Sequence, residues 1–428
     1  MELRRYKDIL ALETAQGDVV GFHVRTLEMA ELSPQAWAAM AEDTSLPSNA
    51  EALSEIATWE QESANQIPAK HEFKIKNVTI NVTQICNLQC KYCAAGGDGT
   101  YGDPVRKISV EQTLPQIKFF IDKLNPGESF AINFLGGEPL LYPIGMEAIG
   151  LYARQLGQER GVTIQLSVTT NGTLFNEDTL ATLKKIKCSV TISMDGGKEI
   201  TDQERPSKDG KSTSDKILAG LPLLFQAKAE LGRIRFHGVY GRFNMDVVKA
   251  YRFFSEFPVT EFEFTYDHIE VSEDVNQQFI QQMSLVAEMA YDKGGETELR
   301  RIRFFDNIFS RIDNRDPVRH YCGAGQSYLM IDAKNQLYTC PWDVNTPSEK
   351  VGQGLSLDHE KLAKYQGDLI EKNDCQACWA KNLCGGGCMY IHKNRTGNKN
   401  KVDSNFCMRT KHLLALALLY YQRSRAAA

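Results

Sequence analysis

Cys86-Asn-Leu-Gln-Cys90-Lys-Tyr-Cys93 follows directly on the apolar, β-branched run Val78–Thr83, and the rest of the chain is read outward from this juncture. The run predicts a strand, so the three cysteines fall at its C-terminal end. Three thiolates at this spacing can each hold one iron of a [4Fe–4S] cube. The fourth iron is then left with an open site that a chelating amine and carboxylate can fill. A zinc knuckle or a ferredoxin-like electron carrier stays open on the motif alone. Zinc, however, prefers four closed ligands, and no fourth Cys or His lies nearby in sequence.

Beyond this loop the pattern alternates between strands and helices. Strands are predicted at Val78–Thr83, Phe130–Leu135, Thr163–Thr170, Ser189–Met194, Arg233–Tyr240 and Glu261–Tyr266. Helices lie between them: one opens at Ser109 with Gln112 completing a capping box, and others run near Met146–Gln158, Glu177–Ile186, Thr213–Leu231, Met245–Phe257 and Asp274–Tyr291. Six such units imply an α/β fold with a parallel sheet, either a partial (β/α)6 barrel or an open doubly wound sheet. In both, ligands collect at the C-terminal strand ends.

Residues 1–70 read as a small α+β module. Val19, Val20, Phe22 and Val24 suggest a strand pair, Ser33-Pro34 an N-cap followed by proline at the first helical position, and Ser48 with Glu51 a second helix start. Asn65–His71, with Pro68, reads as a linker. This module holds five basic and twelve acidic residues, which reads as a solvated acidic face or as one favouring a partner of basic character. The whole chain, 428 residues at formal net charge −5, shows no concentrated basic face for nucleic acid. No signal pattern opens it, and its longest apolar run, Leu413–Tyr421, is too short to span a bilayer and reads as a packed terminal helix. Cytoplasmic residence is expected, where eleven cysteines point to metal or redox chemistry rather than to disulfides. Cys188, alone in sequence, reads as a core residue.

Three further motifs end successive predicted strands: Gly136-Gly137-Glu138-Pro139, Thr170-Asn171-Gly172, and Ser193-Met-Asp195-Gly196 with Arg205 twelve residues beyond Ser193. Together with CxxxCxxC and an aromatic residue, Tyr92, before its last cysteine, this series resembles the radical S-adenosylmethionine superfamily. The resemblance implies that Cys86, Cys90 and Cys93 hold a cluster to which S-adenosylmethionine binds. It also implies that Tyr92, Gly136, Gly137, Glu138, Asn171, Ser193, Asp195 and Arg205 surround that cofactor. Glu138 would face its ammonium, and Ser193 and Arg205 its carboxylate.

From about residue 315 glycines and cysteines crowd together, as in a small domain stapled by metal. Cys375-x2-Cys378-x5-Cys384-x3-Cys388 and Cys407, with Cys322 and Cys340, resemble a SPASM domain, the auxiliary-cluster extension of peptide-modifying radical enzymes. A zinc ribbon is the alternative for such pairs. The resemblance assigns Cys375, Cys378, Cys384 and Cys407 to a distal [4Fe–4S] cluster and Cys322, Cys340 and Cys388 to a nearer one, three clusters in all. The nearer cluster lacks a fourth cysteine, and its last place is left to substrate, water or a side chain such as Asp343, or stays open. Two departures stand out. Asn335 replaces the family's usual glycine, though asparagine also tolerates the left-handed conformation. Pro341 follows Cys340 where sulfatase maturases have an aspartate, and their additional early cysteine is absent.

The expected organisation is therefore a module at 1–70 resembling leader-binding domains, a barrel at 71–310, and a SPASM-type domain at 311–428. The expected activity is oxidation or crosslinking of side chains in a ribosomally made precursor peptide with a leader, served by a flavodoxin- or ferredoxin-type electron donor. Formylglycine formation and a non-catalytic iron–sulfur or zinc scaffold are the alternatives. Tyr266, Asp267 and His268, at the sixth strand's end, are candidates for an acid or base. The basic stretch His392–Lys401 reads as a solvated loop.

Overall fold

A computed structural model describes residues 2–13, 17, 19–41, 52–64, 73–93, 107–267 and 272–426. The Ser48 capping box, the linker at 65–71 and His268 lie outside the described residues. The chain divides into two units interleaved in sequence: 1–71 with 271–321 and 368–428, and 72–270 with 322–367.

In the first unit β1 (Leu3–Tyr6), β2 (Ile9–Glu13), β3 (Val19–His23) and β4 (Met29–Leu32) form an antiparallel sheet in that order. The apolar run around Val19 marks β3. β1, reading Leu-Arg-Arg-Tyr, carries no such signal, and its link to β2 passes through Lys7 at φ 51 rather than through the Asn-Gly or Gly that marks a hairpin. Ile9, Ala11, Val19 and Leu32 pack on Trp37 and Ile56. Ser33 Oγ accepts from Ala36 N at 3.1 Å with Pro34 opening the helix, as expected. The helices Glu273–Arg300, Arg303–Asp313 and Ser404–Ala426 pack together in the same unit. The first continues past the expected Tyr291 because the chain resumes its helix after a break at Gly294 and Gly295. No helix among the described residues is long and apolar enough to cross a membrane.

In the second unit six parallel strands appear where the alternation predicts them: β5 (Asn77–Asn81), β6 (Ser129–Leu135), β7 (Thr163–Thr170), β8 (Ser189–Ser193), β9 (Ile234–Tyr240) and β10 (Glu261–Tyr266). Each lies beside the next in sequence, from β5 to β10. A doubly wound sheet would reverse strand order at a switch point. The unbroken order identifies the partial (β/α)6 barrel type. Past β5 the sheet continues through β11 (Tyr328–Ile331), parallel to β5, and then antiparallel through β12 (Gln336–Tyr338), β13 (Lys350–Gln353) and β14 (Ser356–Leu357).

Alternation along the strands separates two faces. Phe130, Ile132, Phe134, Val168, Ile192, Phe236 and Phe262 are fully buried. The intervening positions, including Asn133, Ser167, Thr169, His237, Glu263 and Thr265, form the other face, which is polar. Ser109 caps its helix, accepting from Gln112 N at 3.3 Å, and Cys188 is a fully buried core residue. Asn335 adopts φ 57, and its Nδ2 donates to Thr113 Oγ1 at 2.8 Å and Gln116 Oε1 at 3.1 Å, so the left-handed turn is also anchored to the helix Val110–Ile121.

Candidate active site

The cysteine loop leaves β5 and is held from two sides. On one side Gly137 N donates to Thr83 O at 2.6 Å and Glu138 N to Ile85 O at 2.8 Å. The approach is so close that a Cβ on Gly137 would stand 2.2 Å from Ile85 O, and one on Gly136 2.3 Å from Thr83 O. Glycine is required here because the turn after β6 lies against the peptide that leads into Cys86. On the other side Gln89 N donates to Pro206 O at 2.8 Å and Lys91 N to Glu204 O at 3.0 Å. The segment carrying Arg205 thus runs alongside the cysteine loop.

Side chains complete the frame. Asn171 Nδ2 donates to Asn87 Oδ1 at 2.8 Å and lies 3.7 Å from Cys86 Sγ, while Asn171 N donates to Glu138 Oε2 at 2.7 Å. The Glu138 carboxylate also accepts from Thr170 Oγ1 (2.7 Å) and Leu140 N (3.0 Å) and is fully buried. Burial raises its pKa to about 6 against these donors. Arg205 grips Asp195 through Nε (2.8 Å) and Nη2 (3.2 Å), and Asp195 accepts in addition from Val239 N at 3.0 Å and from the Tyr92 hydroxyl.

A cavity of about 320 Å³ opens inside this frame. Cys86, Cys90, Cys93, Tyr92, Gly136, Gly137, Asn171, Ser193 and Arg205 are all in its wall. Glu138 and Asp195 are not: their carboxylates turn into the protein and hold Asn171 and Arg205 in place. Tyr266 and Asp267 line the cavity, as do His237, Val239, Thr265, Pro341 and Trp342, which the motifs did not single out. For His237, Val239 and Thr265 the available signal was strand parity, since they alternate with the buried residues of β9 and β10.

The donor set suits an iron–sulfur cube. Burial pushes the Cys86 thiol up to about 12 and raises that of Cys90, with Arg205 opposing. These sulfurs become thiolates when a metal takes the proton's place. Among the described residues no three His, Cys, Asp or Glu side chains close on a single ion; a cube asks instead for one thiolate per corner iron.

In the first unit Cys375, Cys378, Cys384 and Cys407 line one small pocket with Gly386, Gly387 and Lys411. Gly385, Gly386 and Gly387 all have positive φ (69°, 88° and 83°), and a Cβ on Gly387 would meet His392 Nε2 at 2.5 Å. Cys388, at the N-cap of the helix Met389–Thr396, is not among the lining residues. In the second unit Cys322 and Cys340 both lie near enough to Tyr328 to act on its phenol. Asp343 is buried in the single turn after Cys340.

The model of the Radical SAM superfamily matches residues 80–254. The chain is 27% identical over 336 residues to the serine-type anaerobic sulfatase-maturating enzyme of Klebsiella pneumoniae, covering 73% of this chain and 81% of that one. It is 24% identical to the mycofactocin maturase MftC of Mycobacterium ulcerans, covering 73% and 82%. Among solved structures, native anSMEcpe with bound AdoMet and Kp18Cys peptide superposes with a TM-score of 0.66 at 20% identity, over 82% of this chain and 99% of that one. The cavity frame and these likenesses agree: residues 80–254 match the radical SAM superfamily, which implies S-adenosylmethionine and a [4Fe–4S] cluster as cofactors, and the chain is similar to maturases of that kind.

Proposed function

We propose that this enzyme oxidises or crosslinks side chains of a ribosomally made precursor peptide. The observation that carries the reading is the single cavity shared by three cysteines, the Gly136–Gly137 turn, Asn171, Ser193 and Arg205, in a chain similar to a maturase such as MftC. A reduced cluster held here would supply one electron for reductive cleavage of S-adenosylmethionine. Cys86, Cys90 and Cys93 would hold it through three thiolates. Gly136 and Gly137 would let backbone approach the methionyl group, and Ser193 and Arg205 would bind its carboxylate. Asp195 fixes Arg205, and the partly apolar wall excludes water from the radical.

We assign two auxiliary clusters as well. Cys375, Cys378, Cys384 and Cys407, gathered in one pocket, would hold the distal one. Cys322 and Cys340 are assigned to the other, with Asp343 as a candidate non-cysteine ligand. These clusters would take the electron that a substrate radical gives up on oxidation, and a flavodoxin- or ferredoxin-type donor in the cytoplasm would reduce the first cluster. The module at 1–70 would take the leader as a strand on a sheet edge. β4 is such an edge, and Leu27–Ala30 with Trp59 and Arg315 line a groove of about 700 Å³ beside it.

The similarity to a sulfatase-maturating enzyme favours a second reading, formylglycine formation. Against it stands Pro341 after Cys340, where those enzymes carry an aspartate. Mass spectrometry decides between them, run on the anaerobically reconstituted enzyme with the peptide encoded beside its gene and with a sulfatase-type Cys or Ser peptide. A precursor peptide lighter by two hydrogens supports crosslinking, and a formylglycine product overturns it. About twelve irons per chain are expected from three cubes, and alanines at Cys86, Cys90 and Cys93 should remove about a third. About four irons would refute the auxiliary clusters.

A further inference from the structure

Part of the cavity wall lies beyond the residues assigned to the cofactor. β10 ends the run of six parallel strands on one side, and β12 lies two strands beyond β5 on the other. Tyr266 and Asp267 come from the end of β10, Pro341 and Trp342 from the turn after β12, and all four line the cavity. Among the described residues Asp267 carries the only carboxylate in that wall. It continues the inward parity of Glu263 and Thr265 and is 4% exposed. Its seat is built from β9: Asp267 N donates to Tyr240 O at 2.7 Å, and a Cβ on Gly241 would stand 2.6 Å from Asp267 Cβ. Glycine at that position leaves the room that the aspartate fills.

We propose that Asp267 accepts the proton released when the substrate is oxidised, an assignment that rests on the crosslinking reading above. Joining two side chains removes two hydrogens. One leaves as an atom and ends on 5′-deoxyadenosine. After the new bond has formed, the second leaves as a proton to the Asp267 carboxylate. The electron it leaves behind passes to an oxidised iron–sulfur cluster of the kind assigned to Cys322 and Cys340. Other groups in the wall suit this proton less well. Pro341 has no acceptor and the Trp342 indole is a donor only. The Tyr92 hydroxyl is engaged with Asp195. His237 stands level with Ser193, on the cofactor's side, and burial lowers its pKa, so the ring resists a proton.

The test compares anaerobically reconstituted wild type, Asp267→Asn and Asp267→Glu on the peptide encoded beside the gene. 5′-Deoxyadenosine and the peptide lighter by two hydrogens are quantified in the same samples. Iron content, circular dichroism and calorimetric peptide affinity should match the wild type in each variant. Asp267→Asn, similar in shape but unable to take the proton, should keep 5′-deoxyadenosine formation within about twofold and slow product formation about a hundredfold. Asp267→Glu should recover part of that loss. A substrate radical should accumulate in Asp267→Asn and be visible by paramagnetic resonance, a signal that a merely structural role would not produce. Gly241→Ala, which displaces the carboxylate, should give a smaller loss of the same kind and remains informative if Asp267→Asn does not fold. Product at the wild-type rate in folded, iron-replete Asp267→Asn protein would overturn the assignment. So would an equal loss of 5′-deoxyadenosine and product, which would place Asp267 in cofactor cleavage instead. A wild-type enzyme that cleaves S-adenosylmethionine yet yields no peptide lighter by two hydrogens would refute crosslinking itself, and this assignment with it.

Discussion

Replacing Gly137 by alanine tests whether the turn after β6 sets the position of the cysteine loop. A Cβ at this position would stand 2.2 Å from Ile85 O, 2.4 Å from Ile85 C and 2.8 Å from Cys86 N, all backbone atoms with no rotamer to yield. Ordinary contact begins at 3.4 Å, so the Ile85–Cys86 peptide has to withdraw by about 1.2 Å. That movement also stretches the Gly137 N and Glu138 N bonds to Thr83 O and Ile85 O, now 2.6 and 2.8 Å. Overpacking costs about 1–3 kcal/mol and each weakened hydrogen bond about 0.5–1.5 kcal/mol, together about 2–6 kcal/mol. Metal ligands tolerate errors of about 0.2 Å, so a shift of this size at Cys86 matters more than the energy. The expected result is a lower unfolding temperature with loss of about four irons, while any iron held by the proposed auxiliary clusters stays. Iron and sulfide analysis, paramagnetic resonance of the reduced protein and thermal unfolding read this out. A Gly137→Ala protein with full iron and an unshifted transition would show that the loop does not depend on this approach.

Arg205→Ala should lower cofactor affinity about ten- to hundredfold and cost about 3–5 kcal/mol of stability, because Asp195 is left buried without its cation. Adding Asp195→Asn should recover stability but not affinity, and equal recovery of both would show one role rather than two. Glu138, with its pKa raised to about 6, keeps its proton in the folded state where the unfolded chain has lost it. Stability should therefore fall by about 2 kcal/mol as pH rises from about 4.5 to about 6. Urea unfolding of wild type and Glu138→Gln at about pH 4 and pH 7 checks this, and a difference independent of pH would refute it. Asn335→Ala should cost about 2–4 kcal/mol, from two lost hydrogen bonds and a left-handed alanine. Asn335→Gly should recover only the backbone share, and an Asn335→Ala protein as stable as wild type would deny the anchoring to Thr113 and Gln116.

Local pattern carried much of this site. A cluster loop must follow a strand, and its glycines must stand where backbone meets backbone, so Cys86–Cys93, Gly136–Gly137 and Thr170–Gly172 announce themselves at strand ends. Ser33, Ser109 and Pro34 likewise fix helix starts through bonds within four residues, and these appear in the structure as the sequence implies. β1 escaped notice because Arg4 and Arg5 interrupt its apolar pattern. β11 and its hairpin extend the central sheet through pairing with β5, some 250 residues earlier, and no local periodicity encodes such a partner.

What the sequence by itself determined is three closely spaced thiols at a strand end, a barrel of alternating strands and helices, and the order of motifs around it. Only the tertiary structure decided which motif side chains face the cavity. Glu138 and Asp195 turn inward, because a buried carboxylate must be met by donors, and Asn171 N, Thr170, Tyr92, Val239 N and Arg205 supply them. His237 enters the wall for the complementary reason. The register between β8, β9 and β10 sets it opposite Ser193 and Glu263, and that register depends on the packing of whole strands rather than on any short stretch of sequence.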